Sequence, residues 1–338
     1  MSDGAARDAT SLRATLLPVA AMLATVVLWA SAFVTIRHVG EEVSAGGLAL
    51  GRLLVASAVL GAVVLVRQGR QGGRGGQGGS PVVPVVWPRG TMWLRLALCG
   101  VVWFGLYNVA LNAAERRVDA GTAAMLVNVG PILIAVLAGL VLREGFPRQL
   151  IVGCTVAFGG VAMIGMATSS GSRADSWGVL LCLVAAASYA VGMVVQKPLL
   201  RSVSALHVTW LAGLVGAAAC LPFAPALIRD LGSARASTIW WVVYLGVLPS
   251  AVAFTTWAYA LARTSAGRLG AATYLAPPIA ILLGWALLDE RPAVLALAGG
   301  IVCLVGVYLT RRRPGSRRSR TPSAEPHPVS QSAPPPGQ

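Results

Sequence analysis

The chain has 338 residues, 56% of them hydrophobic and only 12% charged, with 39 glycines and a formal charge of +15. A water-soluble protein of this size carries about a quarter charged residues, so that class is excluded. The apolar residues run in long unbroken stretches rather than in the short alternating segments of barrel strands, which leaves an all-α membrane protein.

Residues 1–15 read as a short polar leader on the cytoplasmic side, with Arg7 and Arg13. Ala30-Ser31-Ala32 has the look of a cleavage site, but the apolar stretch from Leu16 to Ile36 is too long for a signal h-region. It is expected to be an uncleaved first span. Taken in order, spans are expected at 16–38, 45–66, 92–113, 119–142, 148–168, 177–197, 205–226, 238–262, 268–288 and 293–310. Between the second and third, Gln68 to Gly79 is rich in Gly, Gln and Arg and reads as a flexible loop. Residues 311–338 turn to Arg, Ser and Pro and read as a disordered tail.

With the residues at span edges counted to the adjoining loops, Lys and Arg divide 19 to 7 between the two sides, and Arg52 lies inside a span. The bias places both termini in the cytoplasm of a multi-pass protein of the cell (inner) membrane and requires an even number of spans. The basic residues lie in loops and the tail and form no basic, aromatic-studded face, so nucleic acid is not the expected partner. The five cysteines lie inside apolar runs with no metal-ligand spacing, and they are expected to be small packing residues. No cofactor or metal is called for.

The chain repeats itself. At a shift of 146, Ala120-Gly121 meets Ala266-Gly267, Pro131 meets Pro277, Glu144 meets Glu290, Gly153 meets Gly299 and Gly160 meets Gly306. Trp29-Ala30 meets Tyr189-Ala190 at a shift of 160, and the Gly-rich loop of the first half accounts for the difference. Two five-span halves, 16–168 and 177–310, must insert with opposite orientation. Inverted repeats of this kind are the architecture of alternating-access transporters, with the site near the midplane where the halves meet, although channels use them too.

These residues resemble the EamA-type proteins of the drug/metabolite transporter superfamily. The resemblance rests on Trp29-Ala30-Ser31-Ala32-Phe33, Arg52, Pro131, Glu144 and Gly153, with Pro277, Glu290 and Gly299 repeating the last three. It runs from the first span to the last. It implies ten transmembrane helices as two inverted five-helix repeats, inward termini, and export or exchange of amino acids and other small metabolites. A homodimer is compatible with such a fold.

The residues read by themselves give a candidate cavity. None of the twelve carboxylates lies mid-span, so a carboxylate proton relay at membrane depth is not expected. Arg52 is either an anchor for an anionic substrate group or a snorkelling side chain paired with Glu41 or Glu42. Pro131 and Pro277 break the fourth and ninth spans near their middles, which favours a midplane cavity over simple packing kinks. Asn108 and Asn112 share one face beside Tyr107, and Asn128, Thr256, Tyr259 and Tyr274 extend the polar set. About half of these are expected to be hydrogen-bonding glue between helices. Trp29, Phe33 and Trp257, with Tyr189, offer an aromatic wall for an apolar substrate portion. Glu144 and Glu290 each precede a proline that opens the next helix and are expected to complement its N-terminus. Gly153, Gly160, Gly299 and Gly300 are expected to permit close helix packing.

The expected function is therefore a secondary transporter exporting small metabolites, with a passive facilitator or channel of the same fold as the alternative. An intramembrane enzyme would need an acid/base pair, a metal set or an activated nucleophile, and the residue census supplies none.

Overall fold

A computed structural model describes residues 2–72, 87–118, 123, 126–168, 175–279, 282 and 293–311, and among these every regular element is helical. The helices are α1 (Ser2–Val39), α2 (Ala45–Gly72), α3 (Thr91–Ala114), α4 (Gly130–Val141), α5 (Arg148–Thr168) and α6 (Ser176–Leu199). They continue with α7 (Ala205–Ala219), α8 (Ala224–Ser233), α9 (Ala236–Leu261), α10 (Ala266–Ala272) and α11 (Val294–Arg311). Among the described residues, six stretches are long and apolar enough to cross a bilayer: Leu16–Val39, Ala45–Gly69, α3, Arg148–Ala167, α6 and α9. The outward faces carry Leu65, Leu94, Val141, Met166 and Ile301 well exposed, as hydrocarbon-facing surface does. This is an integral membrane protein. Trp93, Trp177, Trp240 and Trp241 are exposed at span ends, where interface anchors sit, and all five cysteines are buried and free.

Several boundaries differ from expectation. The described part of the expected leader is helical and continues into the first span, because α1 begins at Ser2 and runs without a break. α2 extends to Gly72, five residues into the Gly-rich stretch, and residues 73–86 lie outside the described residues. The stretch expected as the seventh span is broken: α7 meets Leu221–Ser233 at 53°. Pro222, which has no amide hydrogen, and Pro225 in the first turn of α8 end one helix and start the next. The 3-10 turn Thr273–Leu275 interrupts the ninth span just before Pro277, and most of residues 280–292, Glu290 included, lie outside the described residues. Of the tail, only Arg311 is described.

α3 and α9 share an irregularity invisible in the sequence pattern. Each contains a π-helical segment, Gly100–Leu106 and Gly246–Val252. Tyr107 N–H donates to Val102 O, and Ala253 N–H donates to Leu248 O, so both segments close with the same five-residue step. The offset between them is the 146 of the repeat.

The close contacts between halves are reciprocal. A Cβ on Gly100 would meet Val215 Cβ at 2.6 Å and Ala212 O at 2.8 Å, whereas one on Gly246 would meet Val55 Cβ at 2.5 Å and Arg52 O at 3.0 Å. Val55 and Val215 differ by 160 positions, as do Arg52 and Ala212. α5 and α11 pack antiparallel on glycine: Gly153 lies against Gly306, and Gly160 lies against Gly299. Here Gly299 and Gly306 are the 146-shift counterparts of Gly153 and Gly160. Swapped pairing of equivalent positions is what a two-fold relation between partners produces.

Polar ties close the two ends of the bundle. At one end Ser44 N–H donates to Asp230 Oδ2 at 2.8 Å, and Arg117 pairs with Asp175 at 2.9 Å. There too Glu42 accepts from the Arg235 amide at 3.0 Å and the Thr238 hydroxyl at 2.8 Å, and it pairs with the Arg235 guanidinium. These donors, the backbone one first, hold its carboxyl at about 2, below the usual 4.5. A carboxylate with a lowered folded-state pKa contributes stability that is fully present above 4.5 and is lost as pH falls toward 2. Thermal stability of detergent-solubilised protein should therefore decline below about pH 4. Glu42→Gln should show a shallower acid decline, and an unchanged acid limb would refute this role.

At the other end Glu144 does not serve the N-terminus of α5. Arg143 and Gly145 take left-handed backbone, with φ of 55° and 73°, and reverse the chain on either side of it. Its carboxylate instead accepts from Ala266 N–H at 2.9 Å and Gly267 N–H at 3.3 Å, and it pairs with Lys197 at 2.5 Å. It thus ties α4 to α6 and to the first turn of α10.

Candidate functional site

The bundle interior is built around aromatic rings from four helices. Trp29 of α1 lies 5.0 Å from Trp257 and 5.4 Å from Phe254, both of α9, and 6.1 Å from Tyr189 of α6, centroid to centroid. Trp103 of α3 closes the box at 5.2 Å from Phe254 and 5.8 Å from Tyr189, and Tyr107 lies 6.1 Å from Tyr189. Most pairs are tilted or edge-on, the arrangement the ring quadrupoles prefer. The indole nitrogens of Trp103 and Trp257 are enclosed without a hydrogen-bond partner among the described residues. Each such orphan costs about 1–3 kcal/mol, which a ligand carrying acceptors would recover.

Beside the box is a cavity of about 20 Å³, close to the size of one water, lined by Trp29, Ala32, Phe33, Ile36, Arg52, Tyr107 and Leu111. Arg52 is 3% exposed, so it does not snorkel, and it pairs with neither Glu41 nor Glu42. Its Nε donates to Ser250 Oγ at 2.9 Å, its sole hydrogen bond among the described residues. Ser250 Oγ in turn donates to Leu245 O at 2.8 Å, the carbonyl four residues before Pro249, which has no N–H to offer it. Trp29 Nε1 donates to Pro249 O at 3.3 Å. The π-helical segment of α9 thus holds both the charge and one wall of the cavity. The two terminal nitrogens of Arg52 have no acceptor among the described residues, leaving a buried cation open to an anionic group.

The other expected residues divide. Asn108 Nδ2 donates to Phe104 O at 2.7 Å within α3, and Asn112 Nδ2 donates to Ala45 O at 3.1 Å, tying α3 to the start of α2. Both are buried, as is Asn128, which sits in the turn just before α4. Pro131 is buried in the first turn of α4, and Pro277 is buried two residues beyond the 3-10 turn. Thr256 meets Thr25 at 2.8 Å and joins α9 to α1. Two expected residues lie away from the box. Tyr274 packs with Leu150, Cys154 and Cys303 beneath α5 and α11. The Tyr259 ring is covered by the Arg263 guanidinium, 3.6 Å from its centroid. Trp103, Phe104, Ser250 and Phe254 belong to the site but were not anticipated; the shared 146 offset of Gly100 and Gly246 was the signal that could have led to them. No group of residues able to hold a metal occurs among the described residues.

The sequence model of the EamA-like transporter family matches residues 16–166 and again 176–312. A protein of Streptantibioticus cattleyicolor named "Probable terminal-alkyne amino-acid exporter" is 36% identical over 299 residues, covering 88% of this chain and 94% of that protein. An uncharacterised transporter of Bacillus subtilis, YdfC, is 29% identical over 84% of this chain and 87% of its own length. A solved structure titled only "Crystal structure of protein" superposes with a TM-score of 0.67 at 20% identity, covering 88% of this chain and 96% of that one, which shows a shared fold.

Proposed function

The chain belongs to the EamA-like transporter family, and from that premise we propose that it is a secondary transporter exporting amino acids or related small amphipathic metabolites. The observation that carries the reading is Arg52: a buried guanidinium whose two terminal nitrogens have no acceptor among the described residues, beside an aromatic box to which both halves contribute. The name of the S. cattleyicolor relative agrees with that chemistry. The protein crosses the inner membrane ten times as two inverted five-helix halves, with both termini in the cytoplasm. The reciprocal glycine contacts and the antiparallel pairing of α5 with α11 support the inversion. The halves rock about this interface, exposing the box to one side and then the other. A cavity of about 20 Å³ favours a carrier in a closed state over an open pore. The chain carries out transport rather than catalysis.

The test profiles metabolites in the medium and in extracts of cells expressing wild type or a double Asn108→Ala, Asn112→Ala variant matched for membrane abundance. One metabolite class should accumulate outside with wild type and fall several-fold with the variant. Equal export by both assigns the asparagines to helix packing. Movement of no small molecule in either direction overturns the transport reading.

A further inference from the structure

Glu115 follows the last residue of α3, one helical turn (about 6 Å) beyond the cavity-lining Leu111 and on the same face as Asn108 and Asn112. The site described above does not use it. It is half-buried, its Oε1 is enclosed with no hydrogen-bond partner, and it forms no ion pair among the described residues. Yet it lies within electrostatic reach of two arginines, Arg37 of α1 and Arg52 of α2. The pocket thus has the Arg52 guanidinium in its wall and, one turn beyond its lining, a carboxyl group whose Oε1 has no partner, and the two form no ion pair among the described residues.

We propose that Arg52 and Glu115 form a two-point clamp for a zwitterion, the guanidinium taking the α-carboxylate of an amino acid and Glu115 taking its ammonium. The inference rests on the transport reading and adds to it the charge pattern of the substrate. A single anion would leave Glu115 Oε1 without a partner, and a single cation would leave the terminal nitrogens of Arg52 without one. Only a molecule carrying both charges satisfies both groups while its side chain lies against Trp29, Phe33 and Tyr107.

The same carboxylate also links binding to protons. Burial raises its pKa to about 8, and the nearby Arg37 and Arg52 offset only part of that rise. Among the described residues, the other titratable groups facing it are Tyr107 on its own helix and Cys182 on α6. At neutral pH the empty site therefore holds its proton on Glu115, and an arriving ammonium displaces it to water. Affinity should rise with pH as Glu115 ionises.

The test measures quenching of intrinsic tryptophan fluorescence in purified full-length protein in lipid nanodiscs. Three ligand series share the leucine, methionine and phenylalanine side chains; each contains the amino acid, the acid lacking the amine and the amine lacking the carboxyl. In at least one series, wild type should bind the amino acid about tenfold or more tighter than either truncated form, and tighter at about pH 8.5 than at pH 6.5. Glu115→Gln should lose the preference over the acid and lose the pH dependence; Arg52→Gln should lose the preference over the amine. Loss of Arg52 also removes its bond to Ser250, so Glu115→Gln, whose Oε1 has no partner to lose, decides the matter. The clamp is overturned if wild type binds the truncated forms as tightly, or if Glu115→Gln keeps wild-type selectivity. It is also overturned if none of the ligands binds while vesicles carrying the protein transport some other class of compound, and the transport reading then survives. If nothing binds and nothing is transported, both fall.

Discussion

Export by an Arg52→Gln protein is expected to fall about a hundredfold or more at unchanged membrane abundance, with Arg52→Lys recovering only part of the rate. The magnitude follows from two charge-assisted hydrogen bonds to a substrate anion at about 1.5–3 kcal/mol each, discounted for imperfect geometry. Lysine restores the charge but not the planar fork that two carboxylate oxygens match. A purely structural arginine would behave differently. Its one hydrogen bond among the described residues is to Ser250, so Ser250→Ala would then reproduce the whole defect. On the present reading Ser250→Ala leaves the terminal nitrogens in place and costs far less. Initial export rates of the three variants, normalised to protein in the membrane, separate the two accounts, and wild-type rates in Arg52→Gln would remove Arg52 from the site.

Gly306→Val is expected to destabilise the folded protein by about 3 kcal/mol or more, because overpacking against backbone has no side chain to yield. A Cβ there would stand 2.3 Å from Ala157 N and 2.6 Å from Ala157 Cα. Gly160→Val should do comparable damage, since its Cβ would meet Gly299 O at 2.5 Å and Cys303 N at 2.6 Å. Gly159→Val, on the same helix but with nothing within 4 Å, is the neutral control. Thermal unfolding followed by size-exclusion chromatography reads the difference. Equal melting of all three variants would mean that α5 and α11 are not in backbone contact.

The legible parts of this molecule are those whose cause is local. Apolar runs specified the long spans because a bilayer admits little else, and Pro131 and Pro277 announced interruptions because a missing amide cannot be hidden. Glycine spacing anticipated the tight packing of α5 and α11. What escaped was set by distant partners. Arg52 stood out as a charge among apolar residues, but its acceptor lies 198 positions away, on a serine that also bonds a carbonyl of its own helix. Glu144 sat where a local cap was expected and serves a helix 122 positions away. Tyr274 and Tyr259 carry the right chemistry, yet the faces they occupy turn away from the aromatic box, and single-span periodicity could not fix those faces. The π-helical segments left no pattern, since an altered backbone step has no obligatory side chain: Trp103 occupies in one the place that Pro249 occupies in the other.

Those two segments also bear on the history of the chain. A turn closed at five residues holds one residue more than its α-helical neighbours, the mark of a single codon inserted into a regular helix. Two separate insertions would have had to strike equivalent points of α3 and α9 independently. One insertion in an ancestral half, followed by duplication of that half, accounts for both with a single event. The irregularity is then older than the two-part protein, while Arg52, whose counterpart is Ala212, is a feature of one half alone. Relatives that depart from this chain in what they carry should differ first at such unmatched positions and keep the paired ones.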